Sequence, residues 1–351
     1  MVGYRRRVES RPSPVVTDEP SRSVTLVVPV RDEAEYIDRC LQSLAAQDYP
    51  ADLLEIVVVD GDSTDDTVAR AHVWAERDSR VTVLRNRDRV MIPGLNLGIR
   101  HGSGSYVGHV IGHSFLPAEY VRRCVELLGE HDAWAVGGSY DRVASTSLQR
   151  AIGRAQSHPF GVGDAIHNYG SRPGWAETVF PGFWPRWVFD RVGYFDEEML
   201  YNEDNEFSHR IRQAGGRIWY EPSLRIGYAP RKSVGALFRQ YHRYGLGKAD
   251  VFRTHPGAFR ARHLAPVALV AGTIAGLIVG IFVPAIRVAT AVGVGIYLVA
   301  AAVAGASAAR GPASWALVAL SFVVMHVAYG LGLLRGLGRL VTNRRPLSDG
   351  R

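Results

Sequence analysis

The order of apolar and polar positions divides the chain into two unlike parts. In the first, short apolar runs alternate with segments whose apolar residues recur every three or four positions. Val24–Val28 is a continuous strand pattern ended by Pro29, and a helical pattern follows with Ile37, Leu41, Leu44 and Ala45 on one face. Leu54–Val59 is a second strand run, closed by Asp60-Gly61-Asp62-Ser63-Thr64, before a helix through Val68, Ala71 and Trp74. Val81–Leu84 and Ser105–Ile111 read as two further strands. Apolar Val/Ile runs interleaved with amphipathic helices predict an α/β domain with a sheet covered on both faces. Ligands of such sheets bind at the carboxyl ends of the strands, where the strand order switches.

In the second part the periodicity disappears. Leu264 to Leu334 is almost entirely Ala, Val, Gly, Leu and Ile, with charge only at Arg287 and Arg310. Leu264–Pro284, Val288–Ala308 and Ala313–Leu334 each approach the ~20 residues a helix needs to cross a bilayer, and none has the polar face of a soluble helix. Two or three membrane helices are therefore expected over 263–335. Arg335, Arg339, Arg344 and Arg345 follow, in a basic tail over 336–351. Basic flanks prefer the cytosol, whereas three full crossings from a cytosolic domain would place them outside. Either one stretch is re-entrant or interfacial, which is the favoured reading, or the rule is broken here. Residues 1–22 have Arg5, Arg6 and Arg7 but no apolar core, so they read as a disordered tail and not as a signal peptide. The expected location is the inner (plasma) membrane, multi-pass, with residues 23–232 as a cytoplasmic domain and 233–262 as an interfacial amphipathic segment.

The 351 residues carry a net charge of +7, but the arginines are scattered and the only lysines are Lys232 and Lys248. That pattern excludes a nucleic-acid partner and suits attraction to membrane lipids. Cys40 and Cys124 fall on apolar helix faces and read as core. After the first strand stands Pro29-Val30-Arg31-Asp32-Glu33, with no Gly-x-Gly-x-x-Gly, and no Gly-x-x-x-x-Gly-Lys occurs anywhere. Dehydrogenase and P-loop readings lose their support.

Two acidic groups could carry chemistry. Asp60, Asp62, Asp65 and Asp66 crowd the end of the second strand. Ser63 or Thr64 can cap the next helix and Asp65 and Asp66 suit its first turn, while Asp60 at the strand tip is placed to accept from a base or ribose. Glu203, Asp204 and Glu206 precede a helix through Phe207, Ile211 and Ala214 that ends at Gly215-Gly216. Three acids in four residues exceed what capping needs, and a carboxylate at a cleft can act as general base.

The ordered set Val28-Pro29-Val30-Arg31-Asp32-Glu33, Val59-Asp60-Gly61-Asp62-Ser63-Thr64-Asp65-Asp66-Thr67, Asn96-Leu97-Gly98-Ile99, Glu203-Asp204 and Gln240-Tyr241-His242-Arg243-Tyr244-Gly245 resembles the inverting family 2 glycosyltransferases of the GT-A fold. The likeness runs to the bacterial exopolysaccharide branch that includes succinoglycan-type transferases, and Thr178-Val179-Phe180-Pro181-Gly182 and Tyr228-Ala229-Pro230-Arg231 add to it. It covers roughly Ser23 to Asp250. The resemblance implies a GT-A nucleotide-sugar-binding fold followed by an α-helical transmembrane region. It implies a nucleotide-sugar site at Pro29, Arg31, Glu33, Asp60, Asp62 and Asn96, with Asp204 as base beside Glu203, and Gln240, Arg243 and Tyr244 over the diphosphate. The implied reaction is sugar transfer, with inversion, to a lipid-linked or polysaccharide acceptor.

One departure matters. Where the family carries an Asp-x-Asp or Asp-Ala-His element for Mg²⁺ or Mn²⁺, this chain has Ile111-Gly112-His113, so Ile111 replaces the first Asp. His113 is the one remaining candidate ligand, with His109 four residues earlier on the same expected strand face. Three readings stay open: a metal held by His113 with Asp62 or the substrate phosphates, neutralisation by arginines, or binding without transfer. The last corresponds to a non-catalytic subunit of a polysaccharide assembly complex. A transporter is disfavoured because the apolar stretches contain no acidic residue. In the segment Ser145–Trp175, His158, His167 and Trp175 are read as packing or surface residues. Gly272, Gly276 and Gly280 would permit close helix packing, within the chain or in a homo-oligomer.

Overall fold

The computed structural model describes residues 22–163, 169–199, 201–255, 260 and 263–341. His167, Arg344, Arg345 and nearly all of the expected N-terminal tail lie outside the described residues. β1 (Val24–Val30), β2 (Leu54–Asp60), β3 (Val81–Arg85) and β4 (Tyr106–His109) form a parallel block in the spatial order β3-β2-β1-β4. All seven residues of β1 are buried, because the strand is covered on both faces. Leu26 and Val28 pack with Ile37, Leu41 and Leu44 of α1 (Ile37–Ala45), near α2 (Thr67–Arg77). Val27 packs on the opposite side with Ile92, Leu95 and Ile99 of α3 (Met91–His101), as the two-residue period of a strand dictates. A Cβ at Gly98 would overlap Val27, so α3 crosses β1 as closely as it does only because that residue is glycine.

Beyond β4 the sheet becomes mixed. β5 (Ser114–Phe115), β6 (Ala135–Arg142), β7 (Gly174–Ala176), β8 (Phe183–Pro185) and β9 (Ile218–Tyr228) extend it. β8 runs antiparallel between β4 and β6, β9 parallel beside β6, and β5 and β7 pair antiparallel with β9. α4 (Tyr120–His131) contributes Tyr120, Val121 and Cys124 to the same core as Cys40. The expected fourth strand is shorter than its apolar pattern, because the chain turns after His109 and Ser114 N donates to the Ile111 carbonyl at 2.9 Å.

The segment 145–175 is not merely loop. It holds α5 (Ser147–Gln156) and α6 (Pro159–Val162), and α5 opens with a capping box in which Gln149 N donates to Thr146 Oγ1 at 3.1 Å. α7 (Trp187–Val192), α8 (Glu203–Gln213) and α9 (Val234–Thr254) follow. α9 starts at Ser233, whose hydroxyl accepts from Ala236 N at 3.1 Å.

α10 (Leu264–Val279), α11 (Pro284–Ala308) and α12 (Pro312–Val341) form the apolar third. At 1.5 Å per residue α10 is about 24 Å long, short of a hydrocarbon core of ~30 Å. Two described helices, Pro284–Ala308 and Ser314–Leu340, are long and apolar enough to cross a membrane. They differ in what they touch. α11 leaves Val288, Val292, Ile296, Val299 and Val303 exposed, and Ile281 and Phe282 at the turn before it are 71% and 82% exposed. α12 instead buries Val318, Phe322, Met325 and Ala328 against Ala151, Ile152 and Ala155 of α5 and Leu237 and Tyr241 of α9. α9 therefore lies between the sheet domain and α12. The contact is close because Gly332 and Gly245 lack side chains: a Cβ on either would overlap backbone of the other helix. Gly276 and Gly280 pack α10 against Thr290 and Arg287 of α11 in the same way, whereas Gly272 faces open space.

Candidate active site

At the carboxyl ends of β1 and β2 two loops are tied together. Asp32, in the left-handed region at φ 55°, accepts from Thr64 N at 2.7 Å. Glu33 N donates to Thr67 Oγ1 at 2.7 Å and Ala34 N to Asp65 Oδ2 at 3.1 Å. The residue before α2 is Asp66, and Asp65 accepts from Thr67 N at 2.9 Å, so neither Ser63 nor Thr64 serves as the helix cap. Ser63 instead serves Asp60, whose buried carboxylate accepts from Ser63 N at 3.1 Å and Ser63 Oγ at 2.5 Å. This is the turn chemistry of an Asp followed by Gly and Ser. Pro29 is buried in register with Val59. Asp62, at φ 60°, pairs with Arg85 at 2.6 Å and with Arg89, and both guanidiniums hold its carboxyl below the usual range. Arg31 is exposed and donates to the Arg89 carbonyl at 3.2 Å.

Asn96 sits elsewhere. It is fully buried, donates to the Phe195 carbonyl and Glu197 Oε1, each at 2.8 Å, and accepts from Phe195 N at 3.1 Å. Its amide fixes the loop before α8 and is not among the residues that line the cavity described next.

That cavity, of about 930 Å³, opens where α8, α9 and the end of β6 meet. Its size falls within the range of small-molecule sites. Asn202, at φ 64°, donates to the Tyr244 carbonyl at 3.0 Å and so sets the start of α8 against α9. Glu203 and Asp204 occupy the first turn of α8 and line the cavity. Burial, then the neighbouring Asp204, push the Glu203 carboxyl up to about 8. Burial also raises Asp204, opposed by a hydrogen bond from Asn205 Nδ2 at 3.1 Å and by the charge of Lys248. Burial thus favours a proton shared by the pair, while the Asn205 hydrogen bond and the Lys248 charge favour the ionised form of Asp204. Glu206, the third acid, has a structural role, since it pairs with Arg210 at 2.6 Å and His255 at 2.9 Å.

α9 supplies the facing wall. Gln240 donates to the Tyr244 hydroxyl at 3.0 Å, and the Arg243 guanidinium lies 5.8 Å from the Tyr201 ring centre. Gln240, Arg243, Tyr244, Lys248, Arg239 and Arg231 all line the cavity, and so does Arg142 at the end of β6. Sequence reasoning missed Arg142. Nothing in Ser139-Tyr140-Asp141-Arg142 distinguishes it from a surface arginine. Lys248 had a faint signal as one of only two lysines in the chain.

His113 also lines the cavity, and its Nδ1 donates to Glu33 Oε1 at 2.7 Å, linking the strand-end loops to the cavity. His109 does not join it. Because β4 ends at His109, the shared strand face fails, and His109 is buried edge-on to Phe180, with burial pulling it down to about 4. Among the described residues no three His, Cys, Asp or Glu side chains come together as a metal-binding group. With Asp62 held by two arginines, His113 Nε2 is a single soft donor where Mg²⁺ or Mn²⁺ wants several oxygens, so the side chains present do not fit such an ion. His158 caps α6, its Nδ1 accepting from Phe160 N at 3.1 Å, and its Nε2 pairs with Ser307 Oγ at 3.2 Å. Trp175 packs edge-on to Trp219 under Arg217.

A family model described as Glycosyl transferase family 2 matches residues 25–173. The succinoglycan biosynthesis protein ExoA of Rhizobium meliloti is 31% identical over 326 residues, 90% of this chain and 96% of that protein. A dolichyl N-acetyl-alpha-D-glucosaminyl phosphate 3-beta-D-2,3-diacetamido-2,3-dideoxy-beta-D-glucuronosyltransferase of Methanococcus voltae is 23% identical over 279 residues, 76% of this chain and 86% of that one. Among solved structures, the mannosyltransferase PcManGT from Pyrobaculum calidifontis, in complex with GDP-Man and Mn²⁺, superposes with a TM-score of 0.57 at 22% identity, covering 90% of this chain and 86% of that one. The mixed sheet with its helices is thus a GT-A-like fold.

Proposed function

This chain belongs to glycosyl transferase family 2, and we propose that it moves a sugar from a nucleoside diphosphate to a lipid-linked or polysaccharide acceptor at a membrane, with inversion at the anomeric carbon. The observation that carries this reading is the meeting of the Glu203-Asp204 pair with Arg231, Arg243 and Lys248 around one cavity. Asp204 takes the proton of the acceptor hydroxyl, whose oxygen attacks the anomeric carbon from the face opposite the diphosphate. The bond from that carbon to the diphosphate oxygen breaks, and its electron pair leaves with the nucleoside diphosphate. Burial and the neighbouring Asp204 favour the protonated form of Glu203, which lets Asp204 act as the base. Arg243 and Arg231 offset the charge that grows on the leaving group.

The nucleoside end of the donor belongs at the loops of Pro29, Arg31, Glu33, Asp60 and Asp62, where open α/β sheets hold their ligands. Gln240, Arg243 and Tyr244 lie over the diphosphate, and Asn96 positions the loop that precedes the catalytic helix. No step is routed through a divalent ion, because the donor set around His113 does not suit one. The Methanococcus protein's name places its acceptor on a dolichyl phosphate, which supports a lipid-linked acceptor here. A plasma-membrane location, with the catalytic domain on the cytoplasmic side, is supported by the two long apolar helices. It is supported too by Arg339, which reaches Asp250 of α9 at 3.5 Å and so returns the basic end of α12 to the domain's side.

The test is incubation of membranes carrying the protein with radiolabelled UDP- and GDP-sugars. Label should enter the lipid extract or polymer with wild-type protein, and the product anomer should be opposite to that of the donor. Retention of the donor's anomeric configuration would contradict the mechanism.

A further inference from the structure

α12 is an apolar helix of bilayer length, yet it lies lengthwise on the sheet domain. One end places Val318 and Phe322 in a common core with Ala151 and Ile152 of α5 and Leu237 of α9. Further along, Gly332 meets the His242 backbone, Gly245 meets that of Tyr329 and Leu333, and Gly336 meets Ala249. At the far end Arg339 reaches Asp250 at 3.5 Å. The contacts advance together along both helices. α9 therefore runs beside α12 over 237–250, about 20 Å, and the domain follows α12 over 318–339, about 32 Å. Were α12 to cross the bilayer, it would draw α9 through that depth of hydrocarbon together with Arg239, Arg243, Lys248 and Asp250, and charges in lipid are costly. The axis of α12 thus lies along the membrane surface.

α11 shares that direction. A Cβ at Gly305 would stand 3.0 Å from the Ala319 Cβ, and the Tyr297 hydroxyl pairs with His326 Nδ1 at 3.0 Å, so the second half of α11 runs antiparallel along α12. Its end is tied to the domain as well, with Ser307 Oγ 3.2 Å from His158 Nε2. The uncovered side is apolar. Exposed positions are consecutive at 291–293 and 298–300 and through 281–289, where Arg287 is the only charge. A second copy of the chain would cover one stripe of such a helix, whereas hydrocarbon covers adjoining faces at once. A shallow helix also leaves Arg287 within reach of the headgroups, to which its long side chain can carry the charge. Resting on the membrane location proposed above, we infer that α10, α11 and α12 do not cross the bilayer. They lie in the plane of the cytoplasmic leaflet, with the outer faces of α10 and α11 against acyl chains and α12 between them and the domain. Apolar faces held in this way sink about 5–10 Å into the boundary of headgroups and chains. Arg335 and Arg339 then stay on the domain's side, as basic flanks prefer.

Cys40 and Cys124 are buried, so a single introduced cysteine reports its own exposure. The experiment treats sealed right-side-out and inside-out vesicles, from cells making the full chain, with a membrane-impermeant maleimide. Arg335→Cys, at an exposed position near the end of α12, is expected to react only in inside-out vesicles. Phe282→Cys, at the exposed turn before α11, is expected to react in neither until detergent is added. Reaction of either variant from the outer face overturns the inference, because α12 or the α10–α11 hairpin would then cross. A fluorophore on Phe282→Cys reads depth directly. Lipid brominated near the headgroup end of its chains should quench it more than lipid brominated at the chain ends, and the reverse order overturns the in-plane arrangement. The two levels fail separately. Protein recovered outside the membrane fraction sinks the membrane reading itself, whereas membrane-bound protein with Arg335→Cys labelled from the outer face sinks only this inference.

Discussion

At the ends of β1 and β2 polar groups 23 to 34 residues apart in sequence answer one another across adjoining loops: Asp32 meets Thr64, Glu33 meets Thr67, and Asp62 meets Arg85 and Arg89. Around Asp204 the opposite holds. The walls come from residues as far apart as His113, Arg142, Arg243 and Met325, and much of the lining is apolar. The first region is a preformed cradle whose side chains mostly satisfy each other. The second brings unlike groups into one space, where burial raises both Glu203 and Asp204 despite the Asn205 hydrogen bond to Asp204. On the proposed reading, chemistry falls to the region where charge is costly to hold, and the cradle supplies position.

The contrast breaks most visibly at Asp204. Asp204→Asn should lower kcat by about 10²–10⁴ while nucleotide binding persists, because only the general base is lost. An equal loss of binding would move Asp204 into the donor cradle. Next, Phe322→Ala should remove about 3–5 kcal/mol by emptying the contact of α12 with α5, seen as a lower melting temperature together with lost activity. Full activity in that variant would mean the acceptor side does not need α12. Asn96→Ala should cost about 1–3 kcal/mol by stranding the buried Phe195 amide and carbonyl, with kcat reduced less than in Asp204→Asn.

The smallest effect is a pH slope. The folded protein raises Glu203 from 4.5 to about 8, so it binds that proton more tightly than the unfolded chain does. The associated stability is complete below about pH 4.5 and is lost as pH rises through about 8. Glu203→Gln should flatten the decline of melting temperature over that window. An unchanged slope would show that the pair does not share a proton.

The legible part of the molecule was the local part. Val24–Val30 and Leu54–Asp60 announce themselves by continuous apolar runs, and their helices by period. The Glu203-Asp204 pair was legible because acids outnumbered what a helix start requires. Asp60, read as an acceptor for a base or ribose, also accepts from Ser63 three residues on, a partner its neighbours in sequence already offered. The apolar end of the cavity was illegible for a physical reason. Phe160, Leu269 and Met325 look like core or membrane residues wherever they occur, and only the docking of α12 on α5 and α9 turns them into a wall. Gly245, which closes the Gln240 motif, and Gly332 permit that docking, yet nothing in the sequence assigns either of them that role. His109 was misassigned because the apolar run Val110-Ile111 hides the turn that ends β4.

The central claim is that the cavity beside Asp204 receives the diphosphate of a nucleotide sugar through arginines. The most direct measurement is calorimetric titration of the solubilised protein with UDP, GDP and their common sugar conjugates, with Mn²⁺ and with EDTA, for wild type and Arg243→Ala. The account predicts saturable binding of a nucleoside diphosphate that EDTA changes by no more than about threefold, and that Arg243→Ala weakens by roughly tenfold or more, as loss of a charge-assisted pair implies. Binding to none of the nucleotides in either condition, or binding indifferent to Arg243→Ala, would contradict it.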